Sequence, residues 1–156
     1  MPTFTRLTVV FVLLTVFSSL TFAQEERGTK EEAQALVDRA LEELSKVGPE
    51  VAYKEFSDIK GSFVDRDLYL IVFDRKGKIL AHGANNALIN ANLWDVTDPD
   101  GVYFVQEFWK VAEKSPEGGW VNFKFTHPKT KKIAKKVMWV RRAGEVIVIA
   151  GAYPTT

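Results

Sequence analysis

The residues from Leu68 to Phe73 form an unbroken apolar run, which constrains the fold more than any other part of the chain. A polar turn with a glycine at position 77 follows, and this pattern predicts a β-hairpin whose second strand is Lys78 to Gly83. In the first strand the residues on both faces are apolar, so both faces must be covered by other parts of the chain. We therefore expect this strand in the middle of a sheet.

A long amphipathic helix is predicted before the hairpin. Thr29 and Glu32 have the spacing of a capping box, in which each side chain accepts a hydrogen bond from the other residue's backbone amide. Apolar residues then recur at helical spacing to about Val47, where Gly48 and Pro49 end the pattern. A short helix is expected over residues 50–56. The long helix is the natural cover for one face of the sheet.

A long irregular stretch, Ala87 to Gly101, follows the hairpin, and loops of this length inside a compact domain are usually functional. Asp98 and Pro99 have the residue types of an N-cap and a first helical position, so they predict the start of a second long helix. This helix should run to about Lys114, with a wide apolar side that is mostly buried.

Three further strands are predicted over residues 120–126, 133–142 and 145–153. The last of them is apolar on both faces, so we expect it to pair with Leu68 to Phe73 at the centre of the sheet. The order of elements predicts an α+β domain of the PAS-like type, with a five-stranded antiparallel sheet and a long N-terminal helix.

The first 23 residues have the pattern of a secretory signal peptide. Arg6 supplies a positive charge, an apolar core follows, and small residues end at Ala23. The alternative is an uncleaved membrane anchor, which the shortness of the apolar core disfavours. We expect residues 24–156 to form one periplasmic or secreted domain with no membrane span after signal cleavage.

Charge and cysteine content exclude several classes of function. Arg6 accounts for the formal net charge of +1, so the domain after it is neutral and has no general electrostatic reason to bind nucleic acid. The absence of cysteine excludes disulfides, thiolate catalysis and cysteine-bound zinc. His82 and His127, the two histidines, do not make a convincing zinc site, and we expect no cofactor.

Several motifs in order resemble the single Cache domain family, second type. They are DLYLIVFDRKGKILAHGANNAL, DPDG before a helix, GGWVNFKF, PKTKK and a terminal IAGAY. The resemblance implies an extracytoplasmic sensory domain, as in chemoreceptors, sensor kinases and small exported proteins. It also implies that a small ligand, often a short carboxylate or an amino acid, binds between the sheet and the helical crossing.

Lys136 is the first candidate for binding such a ligand, because it lies in a predicted strand next to Ala134, Met138 and Val140. A partly desolvated ammonium group is a strong partner for a carboxylate. The alternative is an edge-strand lysine that reaches water or discourages edge pairing. The residues alone favour this alternative, and the resemblance makes the two interpretations about equal.

Aromatic residues supply the remaining candidates. Tyr69, Trp94 and Trp120 are predicted to wall the pocket, and Tyr103 or His82 to donate a hydrogen bond to the ligand. Each of these aromatic residues is more often a plain core residue, and Trp94 is the most pocket-like because it lies in the long loop. We place His82 on the same strand face as Leu80, where the residues favour a structural histidine over a ligand-binding donor.

The acidic residues Asp95, Asp98 and Asp100 invite a calcium interpretation, but helix capping explains them better. No sequence motif of a hydrolase, nucleotide-binding enzyme or metalloprotease is present, so we do not expect an enzyme. The sequence predicts a soluble small-molecule-binding sensory domain that acts with a separate membrane receptor or sensor partner. The alternative is a structural or interaction module with the same fold and no ligand.

Overall fold

Two strands that are apolar on both faces pair at the centre of the molecule. The computed structural model describes residues 27–127 and 130–154. The predicted signal peptide lies outside the described residues. The helices are Lys30–Val47 (α1), Pro49–Phe56 (α2) and Phe104–Lys114 (α3), with a 3₁₀ turn at Asn86–Leu88. The strands are Val64–Asp65 (β1), Leu68–Asp74 (β2), Ile79–His82 (β3), Gly119–Thr126 (β4), Ile133–Ala143 (β5) and Val146–Ala152 (β6).

All strand pairs are antiparallel, in the order β1–β2–β6–β5–β4, and β3 also pairs with β2. Leu70 lies opposite Ala150 and Phe73 lies opposite Ile147, which confirms the predicted pairing of the two central strands. The five predicted strands are present, and the two-residue strand β1 adds a sixth. This is the predicted PAS-like α+β fold.

Helix α1 covers one face of the sheet. Its capping box is present, with Thr29 and Glu32 each accepting a hydrogen bond from the other's backbone amide. The helix buries Ala33, Val37 and Ala40 against a cluster that includes one set of alternate residues of β2. Those residues are Leu68, Leu70 and Val72. One of the two apolar faces predicted for β2 is therefore covered by α1.

Helix α3 and the loop before it cover the other face. Phe104, Phe108 and Trp109 are buried in a second cluster with Phe73 and Ile147. The Trp109 indole also donates a hydrogen bond of 3.1 Å to the backbone carbonyl of Asp74 at the end of β2. The long helical crossing is thus fixed to the central strand at one end.

The predicted start of this second long helix is wrong: α3 begins at Phe104 and not after Asp98. The Asp98 carboxylate accepts hydrogen bonds from the amides of Asp100 and Val102, both at 2.9 Å, and from the Lys124 amide at 3.0 Å. Gly101, with a φ of 82°, turns the chain away from a helical path. Asp98 therefore closes a turn and joins it to strand β4.

The predicted facing of β3 is also wrong, because a bulge interrupts its pairing with β2. Val72 pairs with Ala81 while Phe73 pairs with Ile79, so Leu80 is an extra residue. Leu80 packs on the α1 side, whereas His82 and Ile79 face the α3 side. The bulge thus turns His82 toward a cavity.

Candidate functional site

A cavity lies between the sheet and helix α3. Its volume is about 40 Å³, counted as the space open to the centres of water-sized molecules. Three polar side chains line it: Tyr69 on β2, His82 on β3 and Lys136 on β5. The other lining residues are apolar: Ile71, Phe73, Ile79, Leu88, Leu93, Phe104, Phe108, Phe123, Phe125, Met138 and Ile149.

Lys136 is buried at the polar end of this cavity, with 2% of its surface exposed. Its Nζ donates a hydrogen bond of 2.9 Å to the Tyr69 hydroxyl and lies 4.7 Å and 4.9 Å from the ring centres of Tyr69 and Tyr153. No carboxylate within residues 27–127 and 130–154 forms an ion pair with it. An ammonium group has three N–H donors, so two remain for a ligand.

His82 is held in one tautomer by the turn that follows it. Its Nδ1 accepts hydrogen bonds from the amides of Ala84 (3.2 Å) and Asn85 (3.0 Å), so the proton of the neutral ring is on Nε2. The ring stacks on Tyr69, with 5.2 Å between ring centres. Burial, together with the charge of Lys136, lowers the pKa of His82 to about 4. At neutral pH the side chain is an uncharged donor.

The polar end of the cavity therefore offers hydrogen-bond donors and one positive charge. Lys136 has no acceptor atom, the His82 acceptor is occupied by two amides, and the Tyr69 oxygen already accepts from Lys136. No aspartate, glutamate, asparagine or glutamine is among the lining residues described above. This arrangement suits a small anion that has only acceptor atoms and an apolar tail.

The structure brings together three of the six residues predicted for the site: Tyr69, His82 and Lys136. Trp94 does not line the cavity and packs against the α3 cluster from outside. Its backbone carbonyl accepts a hydrogen bond of 2.9 Å from the Gln106 side chain, which ties the loop to α3. Trp94 thus packs against residues that line the cavity without lining it itself.

Tyr103 and Trp120 lie away from the cavity, at a separate open groove beside β4. Tyr103 is 46% exposed because α3 begins after it. Trp120 lies against Trp139 on the α1 side, with Lys30 Nζ 4.5 Å from its ring centre. The alternation of β4 already separates Trp120 from Val121 and Phe123, so the sequence carried the signal that it faces the other way.

Tyr153 and the phenylalanines of α3 and β4 also lie at the site, although they were not predicted from the sequence. Tyr153 follows β6 and is buried, with its ring over Lys136 and 4.4 Å from the ring of His127. Period-two spacing places Tyr153 on the same side as Gly151, which was a usable signal. The phenylalanines resemble any core residue, so no sequence signal distinguishes them.

Residues 27–127 and 130–154 contain no group of three His, Asp or Glu side chains placed to hold a metal ion. Over the same residues, no helix has the length and apolar character needed to cross a bilayer.

Known structures share this fold. A methyl-accepting chemotaxis protein from Vibrio parahaemolyticus is 18% identical with a TM-score of 0.68, and the match covers 80% of this chain and 87% of that one. The periplasmic sensor domain of a chemotaxis protein is 20% identical with a TM-score of 0.63, covering 80% and 90%. A Cache chemosensory domain solved to explain carboxylic acid recognition is 22% identical with a TM-score of 0.65, covering 80% and 92%.

These likenesses show the fold, and no curated protein matches the chain. The family model for single Cache domain 2 matches residues 11–154, which is most of the sequence. Cache domains are sensory ligand-binding modules. The chain belongs to the single Cache domain 2 family.

Proposed function

We propose that this protein is an exported sensory domain that binds a short-chain carboxylate in the cavity between the sheet and α3. The observation that carries the proposal is the Lys136 ammonium group, which is buried without a carboxylate partner among the described residues. Burying a charge without a counter-ion is strongly unfavourable, so such a group is typical of a site that receives its counter-ion from a ligand. One structural neighbour is a Cache chemosensory domain whose structure was solved to explain carboxylic acid recognition.

The proposed ligand places its carboxylate between Lys136 and His82. Two N–H groups of Lys136 and the Nε2–H of His82 donate to the carboxylate oxygens, and these charge-assisted hydrogen bonds are about twice as strong as neutral ones. The tail lies toward Phe104, Phe108 and Phe123. About 40 Å³ is open to the centres of water-sized molecules, and this space suits a ligand of a few heavy atoms.

An amino acid fits this site less well than the corresponding acid without the amino group. Its ammonium group has three donors, whereas the acceptor atoms of the polar lining side chains, the Tyr69 oxygen and His82 Nδ1, already accept hydrogen bonds from other groups. It would also lie close to the charge of Lys136. The cavity therefore supports the carboxylate half of the original expectation.

The sensory role is proposed to need a separate membrane partner that reads whether the cavity is occupied. The support is the family and the chemotaxis proteins that share the fold. The predicted signal peptide over residues 1–23 would bring the domain to the same side of the membrane as the sensing part of such a partner.

Titration calorimetry with acetate, propionate and butyrate tests the proposal, with glycine and alanine as the amino counterparts of the first two. We expect propionate to bind and alanine to bind more weakly or not at all. In Lys136→Met the loss of charge-assisted hydrogen bonds should cost about 1.5–3 kcal/mol, which is roughly ten- to a hundred-fold in affinity.

Lys135→Met is the matched control, because Lys135 is the exposed neighbour on the other face of β5 and does not line the cavity. It should leave the affinity unchanged. Equal losses in both variants would show that general charge, and not the buried ammonium, attracts the acid. If none of the three acids binds, the result favours the alternative of an interaction module without a ligand.

A further inference from the structure

Lys136 can touch Tyr69 only by crossing another strand. Lys136 is on β5 and Tyr69 is on β2, and β6 lies between these two strands. On one side of β6, Gly151 pairs with Met138 of β5. On the other side, Ala150 pairs with Leu70 of β2, and the next step of the same register places Gly151 beside Tyr69. The lysine stem therefore runs across the sheet at the position of Gly151.

No space for a side chain exists at Gly151. A Cβ atom there would lie 2.0 Å from Met138 Sδ, 2.7 Å from the Val137 carbonyl oxygen and 3.1 Å from Lys136 Cε. The backbone does not require a glycine, because Gly151 is not among the described glycines with positive φ. The space for a side chain at this position is taken by the Met138 side chain, the Val137 carbonyl oxygen and the Lys136 stem.

We propose that Gly151 is a positioning residue for the ligand site, because its missing side chain gives Lys136 the passage that brings its ammonium group to Tyr69. The ligand-binding consequence rests on the function proposed above. Lys136 and Tyr69 are 67 positions apart in sequence, and the hydrogen bond between them depends on this one gap in β6. Lys136 and His82 line the same cavity, so the position of the ammonium group decides whether the two donors can reach one carboxylate.

Gly151→Ala tests the proposal with two measurements. The first is the NMR signal of the Lys136 ammonium group, assigned by its loss in Lys136→Met. In the parent protein, burial and the hydrogen bond to Tyr69 should give a slowly exchanging signal, and in Gly151→Ala this signal should shift or broaden away. This measurement needs no ligand.

The second measurement is propionate affinity in a double-mutant cycle. Gly151→Ala alone should weaken binding about tenfold, as expected for a displaced charge-assisted contact. In the Lys136→Met background the same substitution should change the affinity by less than about twofold, because the group it positions is already absent.

If Gly151→Ala does not fold, Gly151→Ala with Met138→Ala removes the closest contact and keeps the contact with Lys136. A folded variant with an unchanged Lys136 signal would overturn the proposal. An affinity loss of the same size with and without Lys136 would overturn it too. If the parent protein binds no acid but the Lys136 signal moves in Gly151→Ala, the positioning role stands and the proposed function fails.

Discussion

Lys136 carries a charge that is almost completely buried in the sheet. Among the residues that the structure describes, its Nζ has one acceptor, the Tyr69 hydroxyl, and contacts two aromatic rings whose faces attract a cation. These contacts offset only part of the free energy of removing an ammonium group from water. Without ligand, Lys136 should therefore destabilise the fold.

This imbalance gives a prediction for Lys136→Met. Replacing a buried charged group by an apolar side chain of similar volume is often neutral or stabilising by about 1–4 kcal/mol. We expect the variant to unfold at an equal or higher urea concentration than the parent protein while its propionate binding is weakened. A loss of several kcal/mol in the free energy of unfolding would instead show that Lys136 is mainly a structural residue.

His82 makes the stability of the protein depend on pH. Its pKa is lowered to about 4 in the folded protein from an ordinary value of 6.5, so between these values the unfolded chain binds a proton that the folded protein does not. The free energy of unfolding should therefore fall as the pH decreases from 6.5 to 4, by an amount on the order of 3 kcal/mol. Hydrogen bonds from backbone amides lower the pKa of the Asp98 carboxyl group. The loss of unfolding free energy that follows its protonation therefore comes at a lower pH than that of His82.

His82→Gln should remove much of the change between pH 6.5 and 4, since glutamine does not titrate. Urea unfolding at pH 7 and pH 4.5, on the parent protein and the variant, measures the difference. At pH 7 to 8 the two proteins should show the same flat dependence. An equally steep loss between pH 7 and 4.5 in the variant would assign the effect to other groups.

At the scale of elements, the two central strands hold the layers together. Val148 on β6 is fully buried, pairs with Val72 and Arg141, and belongs to the cluster under α1. Val148→Asp would bury a carboxylate without a partner, which should cost several kcal/mol of unfolding free energy.

Ile133→Asp is the matched control for Val148→Asp. Ile133 is the first residue of β5 and is 58% exposed, so the same kind of substitution should change the unfolding free energy little. Urea unfolding of the two variants gives the comparison. Similar stabilities for both would contradict the central position of β6.

The central strands and α1 could be predicted because their signals are local. Apolar residues on both faces of β2 and the capping box at Thr29 each determine an element within a few residues. The start of α3 could not be predicted in this way. Asp98 has the residue type of a helix cap, but two of the amides that it binds belong to a turn through Gly101 and the third belongs to Lys124 on another strand.

The site was predictable only in part, for the same reason. Lys136 stands out because it is a lysine among apolar residues of one strand, and this can be seen locally. His82 was predicted as a site residue, but the side of the sheet on which it lies depends on a bulge at Leu80. No glycine or proline at Leu80 indicates this bulge in the sequence. Trp94 is an aromatic residue of suitable type whose distance from the cavity is decided by long-range packing, whereas the alternation of β4 indicated that Trp120 faces away from it.

At the scale of the whole molecule, the two faces of the sheet have different tasks. The α1 face is filled by its cluster, while the α3 face combines a cluster of phenylalanines with the cavity and its donors. Both layers share β2 and β6, so a ligand in the cavity contacts residues of the strands that hold the fold together. Ligand binding should therefore stabilise the protein as a unit.

The most direct test of this account is the unfolding free energy with and without propionate, for the parent protein and Lys136→Met. At 100 times its dissociation constant, propionate should add about 2.7 kcal/mol to the parent protein. At the same concentration it should add much less to Lys136→Met, and alanine should add little to either protein. Equal stabilisation of the parent protein and Lys136→Met by propionate would contradict the claim that the buried ammonium group binds the carboxylate.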